Sequence, residues 1–174
     1  MSLLRFLGVR TPARDAGGET ETVRRIAARL EALPAERARH LAGFAYVLAR
    51  VAHSDLEIEA AESAEMEQLV AELGGLPGAE AALVVEIAKS QARLLGGTEN
   101  YVVTREFRRI ASLEERARLL ECVYAVAAAD GSISSVENAE SGRIADELGF
   151  TREEALAVRS AFRDKLSVLK RPAR

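Results

Sequence analysis

The sequence has little of the chemistry that holds many small proteins together: one cysteine, two histidines and no tryptophan in 174 residues. Because Cys122 has no second cysteine to pair with, the chain cannot build a disulfide framework, a cysteine zinc cage or an iron–sulfur site. A chain of this length buries enough surface to fold without such links. We therefore expect a protein of a reducing compartment, the cytoplasm.

Long apolar runs are also absent, because Arg, Glu, Lys or Asp interrupts every stretch before it reaches the roughly 18 residues of a membrane-spanning helix. The opening MSLLRFLG is too short for a secretory signal peptide. It does combine apolar side chains with Arg5, which would allow peripheral contact with the inner membrane. The apolar residues are Leu3, Leu4, Phe6 and Leu7.

Catalytic and nucleic-acid-binding motifs are missing as well. The chain has no Walker loop and no GxGxxG, HExxH or GxSxG motif, and neither His40 nor His53 accompanies a nucleophile pattern. The net charge is −3, whereas a nucleic-acid-binding protein needs a basic stripe with interleaved aromatic residues. We predict that the chain is not an enzyme, binds no nucleic acid and has no small organic substrate.

The residues that are abundant predict an all-α fold. Ala, Leu, Glu and Arg dominate, and the four prolines stand where helices could start or stop. The apolar periodicity predicts a compact bundle of about eight helices over residues 19–170, after a flexible segment and linker over residues 1–18. The second helix, from Ala35 to about His53, should bury a stripe of residues three or four apart: Leu41, Phe44, Ala45, Leu48 and Val51. Capping boxes predict three helix starts, at Ser112–Glu115, Ser134–Glu137 and Thr151–Glu154.

The two halves of this domain resemble each other at an offset of 75 residues. Apolar positions recur, such as Val51 with Val126 and Ile58 with Ile133, and so do acidic positions. The sequence therefore predicts two repeated four-helix units, about residues 20–96 and 97–170, packed around a pseudo-two-fold axis.

Three acidic residues recur in each half, as Asp, then Glu seven residues later, then Glu three residues later. The first acidic motif is Asp55, Glu62 and Glu65, and the second acidic motif is Asp130, Glu137 and Glu140. The two Glu residues of each motif lie one helical turn apart, so three carboxylates can converge around the preceding turn. Oxygen ligands without His or Cys favour a hard divalent cation, with Ca²⁺ favoured over Mg²⁺ or Zn²⁺. Glu57 and Glu59 are extra candidate ligands in the first motif.

A structural explanation of the same acids stays open. In the second motif, Ser134 and Glu137 fit a capping box, and Asp130-Gly131 fits a turn. The first motif fits this explanation less well, because Glu59 stands at the cap position and Leu56 replaces the turn glycine.

Acidic charge is concentrated between Val51 and Ala88, a stretch with nine carboxylates and neither Lys nor Arg. Such a stretch attracts cations or a basic partner. Two other functions therefore stay open beside cation binding. One is a protein-interaction adaptor that binds no metal, and the other is a hydrolase that uses paired carboxylates.

The segments Val51–Glu62 and Val126–Glu137, each followed by a helix that ends in Leu-Gly, resemble the TerB-like family associated with tellurite resistance. The resemblance covers about residues 20–170. It implies an all-α fold of two repeated helical units, a divalent-cation site on the acidic residues, and a non-catalytic role with protein partners in bacterial stress-response assemblies near the membrane. By motif position, it assigns the cation site to the six residues of the two acidic motifs.

Overall fold

A computed structural model describes residues 17–52, 60–94, 100–129 and 131–165 of the chain. These residues form eight α-helices and no strand, so the prediction of a compact all-α fold with about eight helices is confirmed. In chain order the helices are α1 Gly17–Glu31, α2 Ala35–Ala49, α3 Ala60–Gly74, α4 Gly78–Leu94, α5 Asn100–Ile110, α6 Leu113–Ala127, α7 Ser135–Leu148 and α8 Arg152–Ser160, followed by a 3₁₀ turn at Arg163–Lys165. Within the described ranges, no helix has the length and hydrophobicity that crossing a membrane requires.

Local sequence signals predict most helix boundaries correctly. All three capping boxes are present: the hydroxyls of Ser112, Ser134 and Thr151 each accept a hydrogen bond from the backbone three residues on, and the glutamate there accepts one in return. Two ends differ from prediction. α1 already begins at Gly17, inside the predicted linker, and α2 ends at Ala49, before the predicted end at His53, which lies outside the described residues.

Glycines in the left-handed conformation end α3 and α7, as is common at helix C-termini. Gly149, with φ +87°, donates its N–H to the carbonyls of Ala145 and Asp146. After α3 the left-handed residue is Gly75, with φ +63°. The sequence alignment of the two halves pairs Gly149 with Gly74 instead, so the structural match of the two helix ends is shifted by one residue.

α2 is the central helix of the bundle. It packs extensively against α4 and α5 and also contacts α6, and all five residues of its predicted apolar stripe are buried. α3 packs on α4 and α6, while α7 packs on α5 and α6; α1 lies against α4, and α8 against α6 and α7. One continuous hydrophobic core, with Phe44, Phe107 and Tyr124 among its largest members, therefore joins both halves of the chain.

Helix contacts within the two halves are not alike. In the first half, α4 packs extensively on α2 and α3. In the second half, the corresponding helix α8 makes only small contacts, and α7 packs on α5 and α6 instead. The two-repeat architecture and its pseudo-two-fold axis therefore stay predictions.

α2 and α5 approach each other closely at Gly43, where the ring of Phe107 lies against the helix. The same ring packs edge-on against Phe44, with 6.2 Å between centroids, and lies 5.1 Å from the ring of His40. A Cβ added to Gly43 would be only 2.8 Å from Cδ2 of Phe107. The helix pair therefore depends on having no side chain at position 43.

We expect the substitution Gly43→Ala to lower the free energy of unfolding by about 1–3 kcal/mol, because the new methyl group overpacks a filled core. Gly142→Ala is the matched control, since nothing lies within 4 Å of a Cβ at that position in α7. It should stabilise the protein by about 0.5–1 kcal/mol, the usual gain of Ala over Gly inside a helix. Urea unfolding measures both variants, and equal effects would contradict the close contact at Gly43.

Candidate functional site

Glu140 of the second acidic motif is held by an arginine from another helix. Arg50, the C-cap residue of α2, donates a hydrogen bond from Nε to Oε1 of Glu140 at 2.8 Å, and its Nη2 forms an ion pair with the same oxygen at 2.7 Å. Its Nη1 donates to Oε2 of Glu147 at 2.5 Å and to Oγ1 of Thr104 at 2.7 Å. These four residues, the Arg50 cluster, connect α2, α5 and α7 through one guanidinium group.

The Arg50 cluster is largely shielded from water. The side chain of Arg50 is 5% exposed, and those of Glu140 and Glu147 are 18% and 15% exposed. Burial alone would lower the pKa of Arg50, but hydrogen bonds to Glu147 and Glu140 outweigh it, so the pKa is raised above its ordinary value. The guanidinium therefore stays charged. Its positive charge offsets the cost of removing the carboxylates of Glu140 and Glu147 from water. Glu140 also pairs with the exposed Arg143, at 2.9 Å.

Glu137, the middle residue of the second motif, lies in the capping box of α7. Its Oε2 accepts a hydrogen bond from the backbone N–H of Ser134 at 2.8 Å, and its own N–H donates to Oγ of Ser134 at 3.2 Å. Gly131 precedes this helix with φ +90°, a conformation that favours glycine. The capping alternative therefore accounts for Glu137, while Asp130 lies outside the described residues.

The first acidic motif is placed only in part. Asp55, Glu57 and Glu59 lie outside the described residues, and Glu62 belongs to α3 without a described side chain. Glu65, the position equivalent to Glu140, is exposed on α3. The two motifs thus differ at the one position where both side chains are described.

The acidic stretch between Val51 and Ala88 is partly neutralised by arginines from α1 and α2. Glu86 pairs with Arg25 and Arg29, and Glu80 pairs with Arg37. α3 has no such compensation within itself, because Ala60–Gly74 contains glutamates but neither Lys nor Arg. Among the described residues, the acidic patch expected from the sequence is therefore limited to the surface of α3.

The described side chains contain no group of three or more His, Cys, Asp or Glu residues arranged to hold a metal ion. Both aspartates of the motifs, and the extra candidates Glu57 and Glu59, fall outside these residues. The cation site on Asp55, Glu62, Glu65, Asp130, Glu137 and Glu140 consequently stays a prediction.

Three members of the Arg50 cluster are not predicted from the sequence: Arg50, Thr104 and Glu147. One signal points to Arg50: it is a charged residue between two buried apolar residues, Ala49 and Val51. An arginine in such a position is almost always paired. The signal does not identify its partners, because Thr104 and Glu147 lie far away in the chain and reach Arg50 only through helix docking.

Cys122 and His40 are both buried in the helix bundle. Cys122 is buried, and burial raises the pKa of its thiol to about 12, so that little of the reactive thiolate forms near neutral pH. Burial against Phe44 and Phe107 likewise lowers the pKa of His40 and favours the neutral imidazole.

A family model described as "Tellurite resistance protein TerB" matches residues 40–160, well over half of the chain. The matched range includes both acidic motifs and the whole Arg50 cluster. No curated protein matches the chain, and no solved structure does.

Replacing Arg50 with methionine should lower the free energy of unfolding by about 3–5 kcal/mol, because the largely buried Glu147 would lose its counter-charge and Glu140 would keep only the exposed Arg143. Arg109→Met is the matched control: it removes the same charge, but the side chain is 69% exposed and pairs with Glu106 on its own helix. The control should leave stability nearly unchanged. Urea is the suitable denaturant, because guanidinium salts would screen the ion pairs. Equal losses in the two variants would show that the Arg50 cluster stabilises the protein no more than an exposed ion pair does.

Proposed function

The chain belongs to the TerB family, as its motif segments predict, and from that premise we propose that it is a non-catalytic module that binds one divalent cation at the first acidic motif. The ligands would be Asp55, Glu62 and Glu65, with Glu57 and Glu59 as further oxygen donors. Ca²⁺ is favoured, because it accepts several carboxylates in a flexible geometry, whereas Mg²⁺ demands near-ideal octahedral coordination.

One observation carries the choice of the first motif over the second. Glu140 is 18% exposed and bound to two arginines, and Glu137 is bonded within a capping box, whereas Glu65 is exposed on a helix that contains no basic residue. A cation at Glu140 would have to displace Arg50 and leave a buried guanidinium without one of its carboxylates. A cation at Glu65 meets no such competition from within α3.

The repeated positions explain this difference. In the predicted repeat, the position equivalent to Arg50 is Ala125, 75 residues later, so that position supplies no guanidinium to hold Glu65 as Arg50 holds Glu140. Within the proposal, the second motif is used to join helices and the first is available to a ligand.

Calorimetric titration of chelator-stripped protein with Ca²⁺, Mg²⁺ and Zn²⁺ tests this function. Asp55→Asn together with Glu65→Gln should weaken Ca²⁺ binding at least about tenfold, because affinity follows the number of charged ligands. The matched control is Asp130→Asn together with Glu137→Gln, which removes the same charge and retains the capping box, since glutamine also serves at that position. This control should bind Ca²⁺ like the unmodified protein.

The second candidate function is a protein-interaction adaptor that binds no metal. The α3 surface favours it, because Glu65 and Glu72 are exposed on a helix without basic residues, which suits a basic partner. The same titration separates the two functions: no saturable ion binding at millimolar concentrations would contradict the cation site and leave the adaptor. Equal loss in both double variants would instead contradict the assignment to the first motif.

We further propose that the module docks on protein partners in the cytoplasm and touches the inner membrane peripherally. The support is the composition of the first ten residues, where Leu3, Leu4, Phe6 and Leu7 accompany Arg5 and Arg10. Cosedimentation with anionic lipid vesicles should be lost when residues 1–10 are deleted and should weaken in high salt. Unchanged cosedimentation of the shortened chain would contradict this contact.

A further inference from the structure

Helices α1, α3 and α4 surround a cleft of about 680 Å³, and none of its described lining residues belongs to the Arg50 cluster or to the two acidic motifs. Its volume lies within the roughly 300–1,000 Å³ typical of sites for small molecules. Ala82 forms the accessible apolar part of the wall, next to the buried Val85, and charged and hydroxyl side chains form the rest.

The basic residues of the cleft differ in the partners that they bind. Glu86 is committed to two arginines of α1: its Oε1 accepts from Nε of Arg25 at 2.9 Å, and its Oε2 accepts from Nη1 of Arg29 at 3.0 Å. Lys89, one turn further along α4, donates from Nζ to the neutral hydroxyl of Ser63 at 2.6 Å. Among the described residues, the ammonium group of Lys89 is therefore bonded to a neutral hydroxyl, whereas Arg25 and Arg29 are bonded to a carboxylate.

The described side chains that line the cleft carry a net positive charge. Arg25, Arg29 and Lys89 lie there together with two described carboxylates, those of Glu67 and Glu86. A cleft with one excess positive charge, hydroxyl groups and a small apolar surface suits a ligand that carries a single anionic group on an apolar body.

We propose that this cleft binds a small molecule through a phosphate or carboxylate group, which Lys89 contacts directly while Arg25 and Arg29 add positive charge. The apolar part of the ligand lies against Ala82.

Amide NMR titrations with phenyl phosphate, benzoate and phenol test the proposal. The first two probes carry the alternative anionic groups on the same ring, and phenol carries neither. We expect saturable shifts at Ser63, Lys89 and Ser90 with phenyl phosphate, with benzoate or with both, and none with phenol. Equal shifts with phenol, or no saturable shift with either anion, would overturn the proposal.

Variants identify the group that binds the anion. Lys89→Met should weaken binding about tenfold or more, the usual consequence of losing a charge-assisted hydrogen bond, and Lys89→Arg should restore most of it. Arg109→Gln removes the same charge from α5, outside the cleft, and should leave the affinity unchanged. Arg25→Gln alters a 57% exposed side chain, so it tests the cleft without disturbing the core, and binding should weaken severalfold. Wild-type affinity in both Lys89→Met and Arg25→Gln, or equal weakening in Arg109→Gln, would overturn the assignment.

Discussion

The buried guanidinium of Arg50 is the interaction on which the arrangement of α2, α5 and α7 depends. Taking an arginine and two glutamates out of water costs several kcal/mol for each ion, and only well-directed hydrogen bonds offset that cost. Arg50 contacts Glu140, Glu147 and Thr104 at the same time, and these simultaneous contacts restrict the relative positions of the three helices. We infer that the cluster fixes how α2, α5 and α7 are positioned relative to one another. Apolar packing alone tolerates more variation in these positions.

The same interaction separates the acidic residues into two groups. Glu140 is tied to Arg50 and Arg143, and Glu137 is tied to the start of α7, so their charges are used within the fold. α3 has no arginine of its own, and the side chains of its Glu65 and Glu72 are exposed at the surface. Under the proposed function, identical residue types at repeated positions serve stability in one half and ligand binding in the other.

The features that could be predicted from the sequence are the local ones. A capping box needs only four consecutive residues, and the boxes at Ser112, Ser134 and Thr151 form as predicted. The stripe of α2 is likewise a matter of 3.6-residue periodicity, and it is buried as predicted. By contrast, the partners of Arg50 come from two other helices far along the chain. The spacing of the acids treats Glu65 and Glu140 as equivalent, and only the docked helices distinguish an exposed carboxylate from a paired one. The cleft between α1, α3 and α4 could not be predicted for the same reason, because no sequence pattern specifies which helices enclose a space.

A double-mutant cycle between Arg50 and Glu140 tests the central claim most directly. Arg50→Met and Glu140→Gln are made separately and together, and the free energy of unfolding of all four proteins is measured in urea. We predict a coupling energy of about 1–3 kcal/mol, as expected for residues that share a buried network. Strictly additive losses would mean that Arg50 and Glu140 stabilise the protein independently, which would contradict the role of their ion pair in joining α2 to α7.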